Sequence, residues 1–314
     1  MIDYCNKVAL APMVRFGELP SRLLALHLGA DLVWGPEIID RKLVDCVRTK
    51  NDSLGTTDFV HPKAGVVFRT CPFEKKRLIF QIGTASPDIA VQAAKIVASD
   101  VAQIDVNAGC PKHFSYHGGM GAALLKTPDL LEEILRSLVT DVGRPFQLPI
   151  SVKIRVLSSV EETVDLVERL CKTGISCLTL HSRFVQQNPT SSAIPNREVY
   201  LEAVAKACAA HGVACYANGS IQDKAEGLSV ISQYGTTGAM IGHSASHDLS
   251  VFDSSTVPWM TQVRSFLELA RAYENSPPNT KYCVLRLIPG KDPLRQIMTR
   301  MKSHDEMLSL VESA

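Results

Sequence analysis

The chain has 314 residues, 46% of them hydrophobic and 21% charged, with 33 Lys and Arg against 32 Asp and Glu. This composition excludes a disordered, collagenous or coiled-coil chain, and a formal net charge of +1 excludes a uniformly basic nucleic-acid binder while leaving room for a local basic face. No apolar run approaches the roughly 20 residues that span a bilayer, residues 1–6 show no leader-like segment, and the nine cysteines form neither a CxxC pair nor a zinc spacing, so the chain is expected to be reduced, metal-free, off the membrane and cytoplasmic, a nuclear pool being allowed.

In chain order, short apolar runs are expected as strands at residues 7–13, 32–37, 77–83, 101–109, 150–155, 176–183, 213–219 and 238–245. Their near-continuous hydrophobicity suits strands buried on both faces of a parallel sheet. Helix patterns lie between them at 87–98, 128–138, 159–174, 197–211 and 222–234. The clearest is 159–174, where Val160, Val164, Val167, Leu170 and Cys171 recur at three- and four-residue steps and Gly174 stands at the C-cap position. Residues 66–70 and 77–81 are expected to pair as an extra hairpin across Glu74-Lys75-Lys76. Eight strands alternating with helices fit a (β/α)8 TIM barrel, for which ~250 residues is usual. Periodicity leaves a doubly wound open α/β sheet as the alternative, although no GxGxxG follows the first strand.

Past about residue 250 the pattern turns helical, with helices expected at 259–273, 282–287 and 293–310 and a break at Asn275-Ser-Pro-Pro278. Residues 1–250 are thus read as the barrel and 251–314 as a small C-terminal helical domain. Between Arg271 and Lys302, seven Lys and Arg stand against two acidic residues, which gives this tail a basic face.

In a (β/α)8 barrel the chemistry sits at the C-terminal ends of the strands. The polar residues expected there are Arg15, Gln81, Asn107, Cys110, Lys153, Arg155, His181 and Arg183, with Asn218-Gly219-Ser220 and Gly242-His243-Ser244 ending the last two strands. Glycines at these last two ends let backbone N–H groups close on an anion, a pattern suited to a phosphate-bearing cofactor. Lys153, inside a strand, is expected to meet an anion, because burying its charge unpaired is costly. Gln81 and His181 offer hydrogen bonds to a polar heterocycle. Cys110 leaves its strand in polar company, between Asn107 and the glycine loop His117-Gly-Gly-Met-Gly121. With an ordinary thiol pKa of about 8.5 it is protonated near neutrality and suited to donate a proton. Nucleophilic use would need an activating base, and neither His113 nor His117 has a diagnostic spacing.

Leu10-Ala-Pro-Met13, Phe80-Gln-Ile-Gly83, Asp105-Val-Asn-Ala-Gly-Cys-Pro111, Gly118-Gly-Met-Gly-Ala-Ala-Leu-Leu125, Val152-Lys-Ile-Arg155, His181-Ser-Arg183 and Ala217-Asn-Gly219 resemble, in order and spacing, the motifs of the tRNA-dihydrouridine synthases. Asn279-Thr-Lys-Tyr-Cys283 resembles the eukaryotic branch that acts at position 20 of the tRNA D-loop. The resemblance implies a barrel with flavin mononucleotide (FMN) at its mouth, NADPH as reductant, a C-terminal helical domain that helps hold tRNA, and reduction of uridine to 5,6-dihydrouridine. By the same resemblance Pro12, Met13 and Val14 would line the isoalloxazine, and Gln81, Lys153 and His181 its polar edge. Asn218, Gly219, Ser220, Gly242 and His243 would hold the phosphate, with Asn107 beside flavin and base. Hydride from the flavin to uracil C6 would be matched by a proton from Cys110 to C5, and Arg15, Arg155, Arg183 and Lys281 would face the tRNA. Two departures stand out. His243 occupies a place where the family commonly has arginine, and residues 184–195, rich in Gln, Ser and Pro, differ from the family's usual loop.

Two other functions fit parts of this pattern: an FMN barrel acting on a free pyrimidine, for which the basic tail has no purpose, and a catalytically weak tRNA-binding factor. Deletion of residues 257–314 is expected to separate a tRNA enzyme from a small-molecule one. Colourless protein that still binds tRNA would point to the binding factor.

Overall fold

The computed structural model describes residues 2–185 and 197–313. Eight parallel strands close into a barrel: β1 (Lys7–Leu10), β2 (Leu32–Trp34), β3 (Leu78–Gly83), β4 (Gln103–Ala108), β5 (Ile150–Arg155), β6 (Cys177–His181), β7 (Ala214–Asn218) and β8 (Gly238–Ile241). Hydrogen bonding runs β2-β1-β8-β7-β6-β5-β4-β3, and β2 pairs with β3 to close the ring. Closure excludes the open-sheet alternative.

The helices follow from the sequence pattern. Val160–Cys171 starts where Ser159 Oγ accepts the N–H of Glu162 (3.1 Å), buries Thr163, Leu166, Val167, Leu170 and Cys171, and ends before Gly174 at φ +93°. Trp34, Ile79, Tyr216 and Met240 form one apolar cluster within the barrel. Gly238 opens β8 directly over the Tyr216 ring, where a Cβ would lie 2.3 Å from Cζ.

Two sequence expectations need correction. Residues 66–70 do not pair with 77–81; Gly65–Thr70 pairs antiparallel with Thr56–His61, which pairs with Val47–Asn51, giving a separate three-stranded sheet. The run at 77–81 is β3, whose two edges are already taken by β2 and β4. Gly65, at φ +69°, makes the turn that the charged segment was expected to make. The segment Glu74-Lys75-Lys76 instead contributes Glu74, wholly buried and paired with Arg22, so that helix Leu19–His27 is tied to this sheet.

The second correction concerns the tail, whose helices are Trp259–Ala272, Pro277–Leu287, Pro293–Met298 and His304–Glu312. Proline at the first turn starts the second helix, so the expected start at 282 lies inside it. The expected helix at 293–310 is two helices, because Ser303 caps a new one. Its Oγ accepts the Glu306 N–H (3.2 Å), while the Glu306 carboxylate accepts the Lys302 N–H (2.6 Å). Lys281 spans the break, donating to the carbonyls of Thr299 and Met301 (3.0 Å each). Val263, Phe266, Leu267 and Ala270 of the first tail helix belong to the same apolar core as Leu24, Ala25 and Leu26 of the barrel's first helix. Among the described residues no helix is long and apolar enough to cross a membrane.

Candidate active site

A cavity of about 530 Å³ opens at the C-terminal ends of the barrel strands. It collects Pro12, Met13 and Val14 after β1, Gln81 on β3, Asn107 and Cys110 at the end of β4, and Lys153 and Arg155 on β5. His181 and Arg183 join from β6, Asn218, Gly219 and Ser220 from β7, and Gly242 and His243 from β8. Two residues singled out from the sequence lie outside it. Arg15, at φ +68°, is exposed and its guanidinium sits 5.7 Å from the Tyr282 ring centroid. Lys281 is engaged on the tail carbonyls described above. A second cavity, of about 620 Å³, lies beside residues 222–228 and 248–256. Its acids are engaged locally: Asp223 caps Lys224–Tyr234, and Asp248 accepts from Ser250 and Gln262.

A buried chain of side chains leads up the barrel interior to Cys110. Tyr4 donates to Gln103, Gln103 to Ser151, and Ser151 to Asp105. Gln81 Nε2 donates to the other Asp105 oxygen (2.8 Å), and Asn107 Nδ2 to Gln81 Oε1 (3.3 Å). Asn107 Oδ1 then accepts the N–H groups of Gly109 and Cys110 (3.0 Å each), which fixes the turn that carries the thiol. Arg155 holds the same turn from the side, Nε donating to the Gly109 carbonyl (2.7 Å) and Nη1 to that of Phe184 (2.9 Å). Gln81 and Asn107 thus present their remaining polar atoms in a fixed orientation.

Sequence reasoning missed Glu37. It follows β2 through Gly35-Pro36 and lines the cavity beside Cys110. Ser115 Oγ donates to its Oε1 (3.1 Å), while Oε2 is buried without a hydrogen-bond partner among the described residues. Burial pushes the Glu37 carboxyl above the ordinary range, and burial with the neighbouring Glu37 pushes the Cys110 thiol up. The thiol is therefore held in its protonated form near neutral pH. The strand-end rule that pointed to seven other strands would have reached Glu37 had it been applied to the second.

The rest of the cavity is cationic and rich in donors. Burial, aided by Arg155 and opposed by Asp105, lowers the Lys153 ammonium to about 7. Its Nζ makes no hydrogen bond among the described residues. His181 is held well below its usual value by burial and by Lys153, Arg155 and Arg183, so the ring is neutral at pH 7. Burial, His247, Arg286 and Arg183 push His243 down as well. Beyond β7 and β8, the N–H groups of Ser220, Ile221, His243 and Ser244 find no acceptor among the described residues. Gly219 takes φ +123°, a backbone conformation that favours glycine, and a Cβ on Gly242 would stand a tight 3.3 Å from that of Ala11. Such a set of unpaired donors calls for an anionic ligand with several acceptors.

A half-buried thiol beside a carboxylate and several cations lines a cavity at the mouth of a (β/α)8 barrel, the end at which this fold carries its active sites. A family model described as dihydrouridine synthase (Dus) matches residues 9–308. The chain is 46% identical to the tRNA-dihydrouridine(20) synthase [NAD(P)+] of Saccharomyces cerevisiae, over 98% of this chain and 83% of that protein. It is 43% identical to the protein of the same name from Schizosaccharomyces pombe, over 99% of this chain and 66% of that one. Its fold is similar to that in a crystal structure of DHODH from Eimeria tenella in complex with ferulenol, with a TM-score of 0.50 over 76% of each chain and 14% identity. The chain belongs to the dihydrouridine synthase family.

Proposed function

We propose that this protein reduces a uridine of the tRNA D-loop, at position 20, to 5,6-dihydrouridine, using FMN in the barrel mouth and NADPH as reductant. The observation that carries the reading is Cys110: a thiol kept protonated, fixed by Asn107 and facing a cavity of unpaired donors. The residues present fit FMN. The free N–H groups and glycines after β7 and β8 suit a phosphate, and the unpartnered Lys153 ammonium and neutral His181 suit the polar edge of the ring. Met13 and Pro12 supply an apolar wall.

In this reading Gln81, Lys153 and His181 hold the flavin's polar edge, and Pro12, Met13 and Val14 its ring face. Asn218, Gly219, Ser220, Gly242 and His243 hold the phosphate. Bound there, the flavin supplies the hydride that adds to C6 of the uracil ring. The C5=C6 bond is conjugated to the C4 carbonyl, so C5 then requires a proton, and Cys110 delivers it from its fixed turn. Lys153 moves toward its charged form as an anion is brought beside it, and so stabilises negative charge in a site shielded from water.

The target base must leave its stack to enter the cavity. Residues 251–314, with their basic face, are assigned to holding the RNA backbone, and 1–250 to catalysis. Arg183 at the cavity and Arg15 at its rim are assigned to the incoming RNA. Arg155 acts there chiefly through the Gly109 carbonyl that it holds, and Lys281 through the tail geometry that it fixes. A cytoplasmic location, without metal or membrane partner, fits this role.

Cys110→Ala separates the two halves of the reaction. The flavin should remain bound and be reduced by NADPH at the wild-type rate, while reduction of unmodified tRNA falls by about 10²–10⁴-fold, the usual contribution of a positioned acid. Unchanged single-turnover reduction of tRNA would remove Cys110 from the acid role.

A further inference from the structure

One cation of the cavity does not come from the barrel. Arg286, on the tail helix Pro277–Leu287, lines the mouth and donates from Nη2 to Ser246 Oγ (2.6 Å) in the loop after β8. That hydroxyl in turn donates to the His243 carbonyl (2.7 Å), so the guanidinium is fastened to the loop that holds Gly242 and His243. Across the opening, Arg183 Nη2 donates to Ser220 Oγ (3.3 Å) in the loop after β7. Each of the two loops with free N–H groups therefore carries an arginine on a serine hydroxyl. Arg286 forms no ion pair among the described residues. Its Nε is buried without an acceptor, and its guanidinium is propped 5.9 Å from the Tyr282 centroid.

We infer that Arg286 is the fixed cation of a phosphate site built jointly with the loops after β7 and β8, and that its occupant is the terminal phosphate of FMN. The inference rests on the flavin reading above. A phosphate monoester carries about −1.5 to −2 charge at pH 7 and is best held by charge-assisted donors. His243 is held mostly neutral and supplies a hydrogen bond at best, whereas a guanidinium stays charged at every relevant pH. Arg286 thus provides, from the tail, the lasting charge that His243 lacks. The same chemistry would also suit an RNA backbone phosphate, so the test distinguishes the two sources.

The full-length protein is stripped of flavin and titrated with FMN, with riboflavin and with unmodified tRNA, as wild type and as Arg286→Gln. Loss of one charge-assisted bond should raise the Kd for FMN by about 10- to 100-fold, leaving riboflavin and tRNA binding unchanged. Arg286→Lys should recover part of the FMN affinity. Equal weakening toward FMN and riboflavin would assign Arg286 to packing and overturn the inference. Weakened tRNA binding with unchanged FMN binding would assign the site to the RNA backbone and overturn it equally. Wild-type protein that binds neither FMN nor riboflavin would fail the flavin reading itself, a result separate from any effect of Arg286.

Discussion

Around Cys110, position and protonation are set by different neighbours. Asn107 and Arg155 fix the turn through backbone groups, while Glu37 lies against the sulfur and acts on its charge. By the pH at which a thiol ionises, the Glu37 carboxyl has lost its proton and opposes a second negative charge beside it. Glu37→Gln keeps the shape and removes that opposition. Its thiol pKa should fall, leaving more thiolate at a given pH. Site-resolved alkylation of Cys110 as a function of pH measures this, and an unmoved midpoint would show that burial alone sets the thiol. Most of this site was legible in the sequence, because barrel strands place successive polar residues at one end. Glu37 and Arg286 were not. The first stands behind Gly35-Pro36, three residues past the end of β2, and the second reaches the cavity from a helix far along the chain.

At the scale of elements, strand content was legible because eight apolar runs are buried on both faces, whereas pairing was not. Residues 56–61 mix Thr, Asp and His with Phe59 and Val60, and their partner 47–51 is largely exposed and polar, so neither resembles a barrel strand. The neighbouring 66–70 was therefore matched to the nearest apolar run, which the barrel had already claimed. Likewise the break after Met298 depends on Ser303 capping the Glu306 N–H while Glu306 accepts the Lys302 N–H, a local bond pattern that overrides continuous helical periodicity. Packing inside the barrel gives a sharper test. Gly238→Ala places a methyl group into the Tyr216 ring, which is itself held by its hydroxyl on the Tyr4 carbonyl (3.1 Å). Overpacking of this kind costs about 1–3 kcal/mol, so the denaturant midpoint should fall with an unchanged slope. An unchanged midpoint would mean that the Tyr216 ring is free to move aside.

Across the whole molecule, the tail helps to line the cavity at the barrel mouth. Asn279 Nδ2 donates to the Arg15 carbonyl (2.8 Å) and the Cys283 thiol to the same oxygen (3.3 Å), so the motif at 279–283 holds the loop after β1 that carries Pro12, Met13 and Val14. Tyr282 and Arg286 line the cavity from the same helix, and Leu269 and Tyr273 pack on the barrel residues Leu19, Leu23 and Cys71. Deleting residues 257–314 would therefore strip the cavity and expose apolar core together with removing the RNA contacts proposed for the tail. Single substitutions on the tail helix separate these roles; deletion does not. The near-neutral net charge likewise hides a cluster of cations at the barrel mouth, where Lys112, Lys153, Arg155, Arg183 and Arg286 line one cavity. The most direct measurement of the central claim is the mapping of dihydrouridine in tRNA from cells with and without this protein, with the purified, FMN-loaded protein and NADPH added back to the deficient tRNA. The expected result is loss of dihydrouridine at position 20 of the D-loop and its restoration by the wild-type protein. Unchanged dihydrouridine at every tRNA position, with no product formed on the add-back, would contradict it.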